Sequence, residues 1–119
     1  MRHWTGRRPR AWTKALEAEY ARLRERLAKA GPISQGYVQD RGPGAGGPCY
    51  QWTRKVRGKT VSLALSKEQF EAMRAAIEEW REVEGTLDRM QKLTRERIFG
   101  TLPDTRRRKP LTKRVLGLI

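Results

Sequence analysis

Cysteine and histidine are almost missing from this 119-residue chain, which has one of each, Cys49 and His3. A lone cysteine excludes an internal disulfide, and one cysteine with one histidine cannot build a four-ligand zinc site from protein alone. The lack of disulfides suits a reducing compartment, so a cytoplasmic location is expected. Long apolar runs are lacking too. No window holds 18 uninterrupted apolar residues, which excludes a transmembrane helix, and no apolar stretch follows the basic N-terminus as a secretory leader would need. Acid is scarce: 13 Asp and Glu stand against 27 Lys and Arg, for a net charge of +14. Apolar residues make up 37% of the chain, and the length is that of one small domain.

The excess of cations is the strongest signal. A field of this size attracts a polyanion from a distance, and it exceeds what solubility requires. Its distribution is segmental. Arg2, Arg7, Arg8 and Arg10 lie in residues 1–12 with no acid. Arg41, Arg54, Lys55, Arg57, Lys59 and Lys67 lie in 41–67, again with none. Arg106, Arg107, Arg108, Lys109, Lys113 and Arg114 face only Asp104 in 101–119. The acids concentrate in 17–25 and 68–96. The chain is therefore read as a basic arm (1–12), a single domain (13–100) and a basic tail with an apolar end (101–119). A membrane is disfavoured as the polyanion, because no strongly amphipathic basic helix with a bulky apolar face is present.

Apolar spacing predicts the elements. Leu16, Tyr20, Leu23, Leu27 and Ala30 form one stripe on a helix over 13–30, with Thr13 as N-cap and Gly31 as C′ residue before Pro32. Residues 33–40 read as a short strand, and the Gly/Pro-rich stretch 42–48 as an irregular loop. Residues 49–65 form a hairpin around Val56-Arg57-Gly58-Lys59, with Gly58 at positive φ. One register sorts the side chains. Tyr50–Leu65, Trp52–Leu63 and Arg54–Val61 fall on one face, and Gln51–Ala64, Thr53–Ser62 and Lys55–Thr60 on the other. Ser66 and Gln69 form a capping box that opens a helix over 67–99. Its stripe is Phe70, Met73, Ile77, Trp80, Val83, Leu87, Met90 and Leu93, and Gly85 marks a bend or break. If straight, that helix spans about 50 Å. In the tail, a frayed end is expected slightly ahead of a short terminal helix with Leu111, Val115 and Leu118 on one face. The fold class is thus α+β: a helix, a small antiparallel sheet of two or three strands, and a long C-terminal helix.

Residues able to carry chemistry are sparse. Gly58-Lys59-Thr60 matches the end of a phosphate-binding P-loop, but position 53 is threonine where the loop needs glycine, and the tripeptide falls in a hairpin turn. Cys49 has no base except the distant His3. Glu78, Glu79, Glu82 and Glu84 read as a solvated helix face. No enzyme, cofactor or metal is expected. Trp52, Trp80 and Tyr50 fit core positions. Trp4 and Trp12 lie among arginines, where they either stack on bases or, for Trp12, staple onto the first helix near Leu16.

Gly46-Gly47-Pro48-Cys49-Tyr50-Gln51-Trp52, followed by Gly58-Lys59-Thr60-Val61-Ser62 and Ser66, resembles a family of small uncharacterised proteins found beside bacterial and archaeal transposases. The shared layout covers about residues 14–95: a first helix, a Gly-Pro-Tyr-Tyr stretch, a Gly-Lys-Thr hairpin and a long helix. Many members carry paired cysteines before Gly-Pro-Tyr, where this chain has Gly-Pro-Gly-Ala. The family has no established activity to carry over. The rhythm from Tyr50 to Trp80 is also similar to the N-terminal three-stranded domain of tyrosine-recombinase integrases, in which a sheet enters the DNA major groove.

These readings converge on a nucleic-acid-binding protein without catalysis, an accessory protein of a mobile element. Lys55, Arg57 and Lys59 at the hairpin tip are expected to contact phosphates. Gln51, Thr53, Thr60 and Ser62 are expected to face the groove, within reach of base edges, and the arms, through Arg7, Arg8, Arg10, Arg106, Arg107 and Arg108, to follow the backbone or enter a minor groove. DNA is favoured over structured RNA. The alternatives are a binder of structured RNA in a ribonucleoprotein, and a protein-interaction module with the long helix holding a transposase or a second copy.

Overall fold

The computed structural model describes residues 12–44, 47–103 and 109–119, and at 47 and 48 the backbone alone. The fold is α+β. The elements run α1 (Lys14–Ala28), β1 (Tyr37–Gly44), β2 (Gly47–Val56), β3 (Lys59–Leu65) and α2 (Lys67–Thr101), and the strands form one antiparallel sheet in the order β1-β2-β3. The chain divides into two compact units. One takes in Lys29–Glu84 and therefore the whole sheet. The other takes in α1 and the chain from Gly85 onward.

In the unit holding α1, Thr13 accepts the Leu16 N–H at 3.2 Å, the N-cap bond the sequence predicts. Leu16 is buried and Tyr20, Leu23 and Leu27 are half-buried, so the predicted stripe faces inward. Leu93 is fully buried. Arg89 forms a two-point ion pair with Glu19 at 2.6 and 2.9 Å. The Glu19 hydrogen bond, foremost, holds the Arg89 guanidinium pKa above its ordinary value. Trp12 packs edge-on against Tyr20, with the Arg97 guanidinium 5.4 Å from its ring centroid. Of the two readings of Trp12, the structure has the staple on the first helix. The chain end forms neither a terminal helix nor a fray. Residues 113–117 make a single turn, with the Val115 N–H on Thr112 Oγ1 and Gly117 at φ +71°. Leu116 is buried there, whereas Val115, expected on the inward face, is 73% exposed. Gly117 gives the turn its left-handed exit, and its carbonyl accepts from Arg95 at 3.5 Å.

In the other unit, the segment after α1 is tied to α2. Gly31 N–H donates to the Glu79 carboxylate at 2.8 Å and Ser34 N–H to the Ala76 carbonyl at 3.2 Å. Gly31 does not take the left-handed conformation, so it is not the C′ residue the sequence suggested. The first strand is also displaced from the predicted 33–40. Gly36, at φ +119°, breaks extended geometry, and β1 begins only at Tyr37. It then continues into the stretch expected to be irregular, pairing Pro43 with Pro48 and Gly44 with Gly47. A bulge makes this continuation feasible: Arg41 and Gly42 together oppose Cys49, Gly42 takes φ +75°, and its N–H donates to Asp40 Oδ1 at 2.9 Å.

The capping box of α2 forms in both directions. Gln69 N–H donates to Ser66 Oγ at 3.1 Å, and Ser66 N–H donates to Gln69 Oε1 at 2.9 Å. The helix passes through Gly85 without a break. Its buried positions are Ile77, Val83, Thr86, Leu93 and Glu96. The predicted stripe placed Leu87 inward, but Thr86 is buried and Leu87 is 37% exposed. The first part of α2 belongs to the sheet's unit and the rest to the unit of α1. With different neighbours at its two ends, the inward side of α2 does not follow one apolar seam.

Candidate nucleic-acid interface

The hairpin register is the one expected from the sequence. Tyr50 pairs with Leu65, Gln51 with Ala64, Trp52 with Leu63, Thr53 with Ser62, Arg54 with Val61 and Lys55 with Thr60. Both central residues of the turn have positive φ, Arg57 at 50° and Gly58 at 80°. This is the two-residue geometry whose twist matches the flanking strands. Strand β1 extends the pattern: Tyr37 pairs with Thr53, Val38 with Trp52, Gln39 with Gln51 and Asp40 with Tyr50.

Because side chains alternate along each strand, these pairs define two faces. One carries Val38, Tyr50, Trp52, Val61, Leu63 and Leu65. Its cover is concentrated at the base of the hairpin, where Tyr50 lies against Phe70 with ring centroids 4.7 Å apart. The Trp52 indole N–H donates to the Gln35 carbonyl at 3.1 Å, and Arg54 sits 5.4 Å from the Trp52 ring centroid. Tyr50, Trp52 and Trp80 are half-buried rather than core. Toward the tip this face opens, leaving Val61 and Leu63 44% and 55% exposed.

The other face carries Tyr37, Gln39, Gln51, Thr53, Lys55, Thr60, Ser62 and Ala64, and none of these is buried. Gln51 and Thr53, on the central strand, are half-buried between their neighbours. Thr53 and Ser62 hydroxyls share a hydrogen bond at 3.2 Å. Arg41 reaches this face from the bulge, its guanidinium donating to Gln51 Oε1 at 3.3 Å. Lys55, Arg57 and Lys59 are exposed around the tip. Among the described residues of the strands, none on this side is a carboxylate, since Asp40 has the alternation of the opposite face. The structure thus brings together Gln51, Thr53, Lys55, Thr60 and Ser62, with Arg57 at the adjoining turn; Lys59, paired with Val56, is exposed beside the tip but has the alternation of the opposite face. Arg7, Arg8, Arg10, Arg106, Arg107 and Arg108 lie outside the described residues, as does Trp4.

Three further residues belong to this face and were not among those singled out from the sequence: Tyr37, Gln39 and Arg41. The alternation Tyr37-Val38-Gln39-Asp40 carried the signal for the first two. Its register against β2 was needed to use it.

Concavity does not compete with this face. An open groove of about 840 Å³ is lined by Gly31, Pro32 and alanines of α2 together with Glu78, Glu79, Glu82 and Arg81, an acidic balance that disfavours a polyanion. Among the described residues, no group of three or more His, Cys, Asp and Glu is placed to hold a metal ion, and no helix is long and apolar enough to cross a membrane. A scan against family models finds no match, and searches of the curated proteins and of the solved structures return no significant one.

Proposed function

We propose that this chain is a non-catalytic nucleic-acid-binding protein that docks the polar face of its sheet on DNA and serves as an accessory protein of a mobile element. The observation that carries the reading is the uncovered face itself. A three-stranded surface of Gln, Thr and Ser is left open to solvent, bordered by Arg41, Lys55 and the turn residue Arg57, with Lys59 beside the tip on the opposite alternation, and none of the described strand residues on this face is a carboxylate. Hydroxyls and amides both donate and accept, as contact with base edges requires, while the cations take phosphates. The net charge of +14 supplies long-range attraction. The free, exposed thiol of Cys49 suits action in the reducing cytoplasm.

Titration of a fluorescent duplex from about 50 to 200 mM salt tests this. Binding should fall steeply, and the variant K55A/R57A/K59A should flatten the log–log slope by about one unit per lost phosphate contact. A slope unchanged in that variant would remove the sheet from the interface. Competition with a structured RNA ranks the two polyanions.

The exposed Val61 and Leu63 favour a second reading, a protein contact on the opposite face near the tip, by a transposase or by a second copy. A stable larger partner co-purifying with the chain, and lost with the variant V61S/L63S, would support it.

A further inference from the structure

Tyr37 opens β1 with 58% of its surface exposed. It pairs with Thr53, which pairs with Ser62, so its row crosses all three strands on the polar face. It is the only aromatic residue on that face among the described residues. The other rings of the sheet serve the fold from the opposite side, Tyr50 against Phe70 and Trp52 on the Gln35 carbonyl.

We infer that Tyr37 is a stacking platform for an unpaired base, so that the ligand of this face includes a single-stranded segment. The inference rests on the reading that the polar face binds nucleic acid, and it narrows the class of ligand. Inside a duplex each base is covered above and below by its neighbours, and an aromatic side chain reaches a base face only where the stack is open. The next row, Gln39 and Gln51, lies two residues along the strands, about 7 Å away. Its amides offer donors and acceptors to the pairing edge of a base that has no partner strand. Arg41 stands beyond that row, and Lys55 lies beyond Tyr37 in the other direction, so a strand laid across the face meets a cation at each end.

The test uses the full chain with three 12-nucleotide probes: a single-stranded DNA, the RNA of the same sequence and the DNA duplex. Tyr37→Leu should weaken single-strand binding about five- to hundredfold while leaving the salt slope unchanged, and Tyr37→Phe should stay within about twofold of the parent. A larger loss with RNA than with DNA, or the reverse, identifies the strand that is stacked. An equal loss shows stacking indifferent to the sugar. In the unaltered protein, photocrosslinking of a strand carrying 5-iodouracil should map to Tyr37. If Tyr37→Leu binds single strands like the parent and the crosslinks fall elsewhere, while Lys55→Ala still loses affinity and salt slope, the stacking proposal falls and the sheet interface stands. If neither variant changes binding to any probe, both fall.

Discussion

Gly36 lies directly against the indole of Trp52. At φ +119°, a Cβ on residue 36 would collide with the Trp52 Nε1 and would sit 3.0 Å from the Thr53 carbonyl oxygen. The same indole N–H donates to the carbonyl of Gln35, so the residues just before β1 are shaped around this one ring. Gly36→Ala should destabilise the protein by about 2–4 kcal/mol, combining strain at positive φ with a clash against backbone and ring. Urea unfolding reads this directly, and a loss below about 0.5 kcal/mol would mean that the ring moves freely.

Gly85 is the opposite case. It sits inside α2 with nothing within 4 Å of where a Cβ would lie. Gly85→Ala should stabilise by about 0.5–1 kcal/mol through helix propensity alone, seen as a rise in Tm of a few degrees.

Arg57 holds a left-handed conformation at φ 50°, which an asparagine adopts with less strain. Arg57→Asn places Asn-Gly in the turn and should stabilise by a few tenths to about 1 kcal/mol. The same variant should bind DNA more weakly and lower the salt slope by about one. A chain both more stable and weaker in binding separates the two roles of this residue. Tighter binding would count against Arg57 as a phosphate contact.

Leu116 is the buried side chain among residues 109–119. Leu116→Ala should cost about 2–4 kcal/mol, because Leu116 is 7% exposed, whereas Val115→Ala should change stability by less than about 0.5 kcal/mol. Comparable effects at both positions would favour a terminal helix with Val115 inward over the observed turn.

The Glu19–Arg89 pair is two-pronged but about one-third exposed, so its contribution is modest. Arg89→Lys should cost about 0.5–1 kcal/mol. Since the Arg89 pKa is raised, its contribution is fully present below the ordinary arginine value and is lost only as pH rises through the folded-state value. The difference between parent and R89K should therefore stay flat from about pH 6 to pH 9 in denaturant melts.

The hairpin was legible in the sequence because alternation and turn chemistry agree on one register, in which Trp52 meets Leu63 and Thr53 meets Ser62. The capping box at Ser66 and the cap at Thr13 were legible for a similar reason: each is a local bond between residues three apart. What could not be read depends on distant neighbours. Propensity alone suggests a strand over 33–36, but the Ser34 hydrogen bond to the Ala76 carbonyl and a glycine shaped by Trp52 hold that segment otherwise. Glycine and proline at 42–44 argue against a strand until a bulge at Arg41 and Gly42 restores the pairing of Pro43 and Gly44. Thr86 displaces Leu87 because packing, not hydropathy, selects the inward residue. The polar half of the candidate interface followed from the hairpin, and its aromatic member waited on the pairing of β1.

The two-residue tip at Arg57-Gly58 sets the phase of everything threaded through it. Deleting or adding one amino acid there would roll β3 over, sending Val61 and Leu63 to the wet side and Thr60 and Ser62 toward the helix. Adhesion to a ligand and cohesion of the protein would then fail together. Point changes on either surface can drift independently, but the length of that bend cannot.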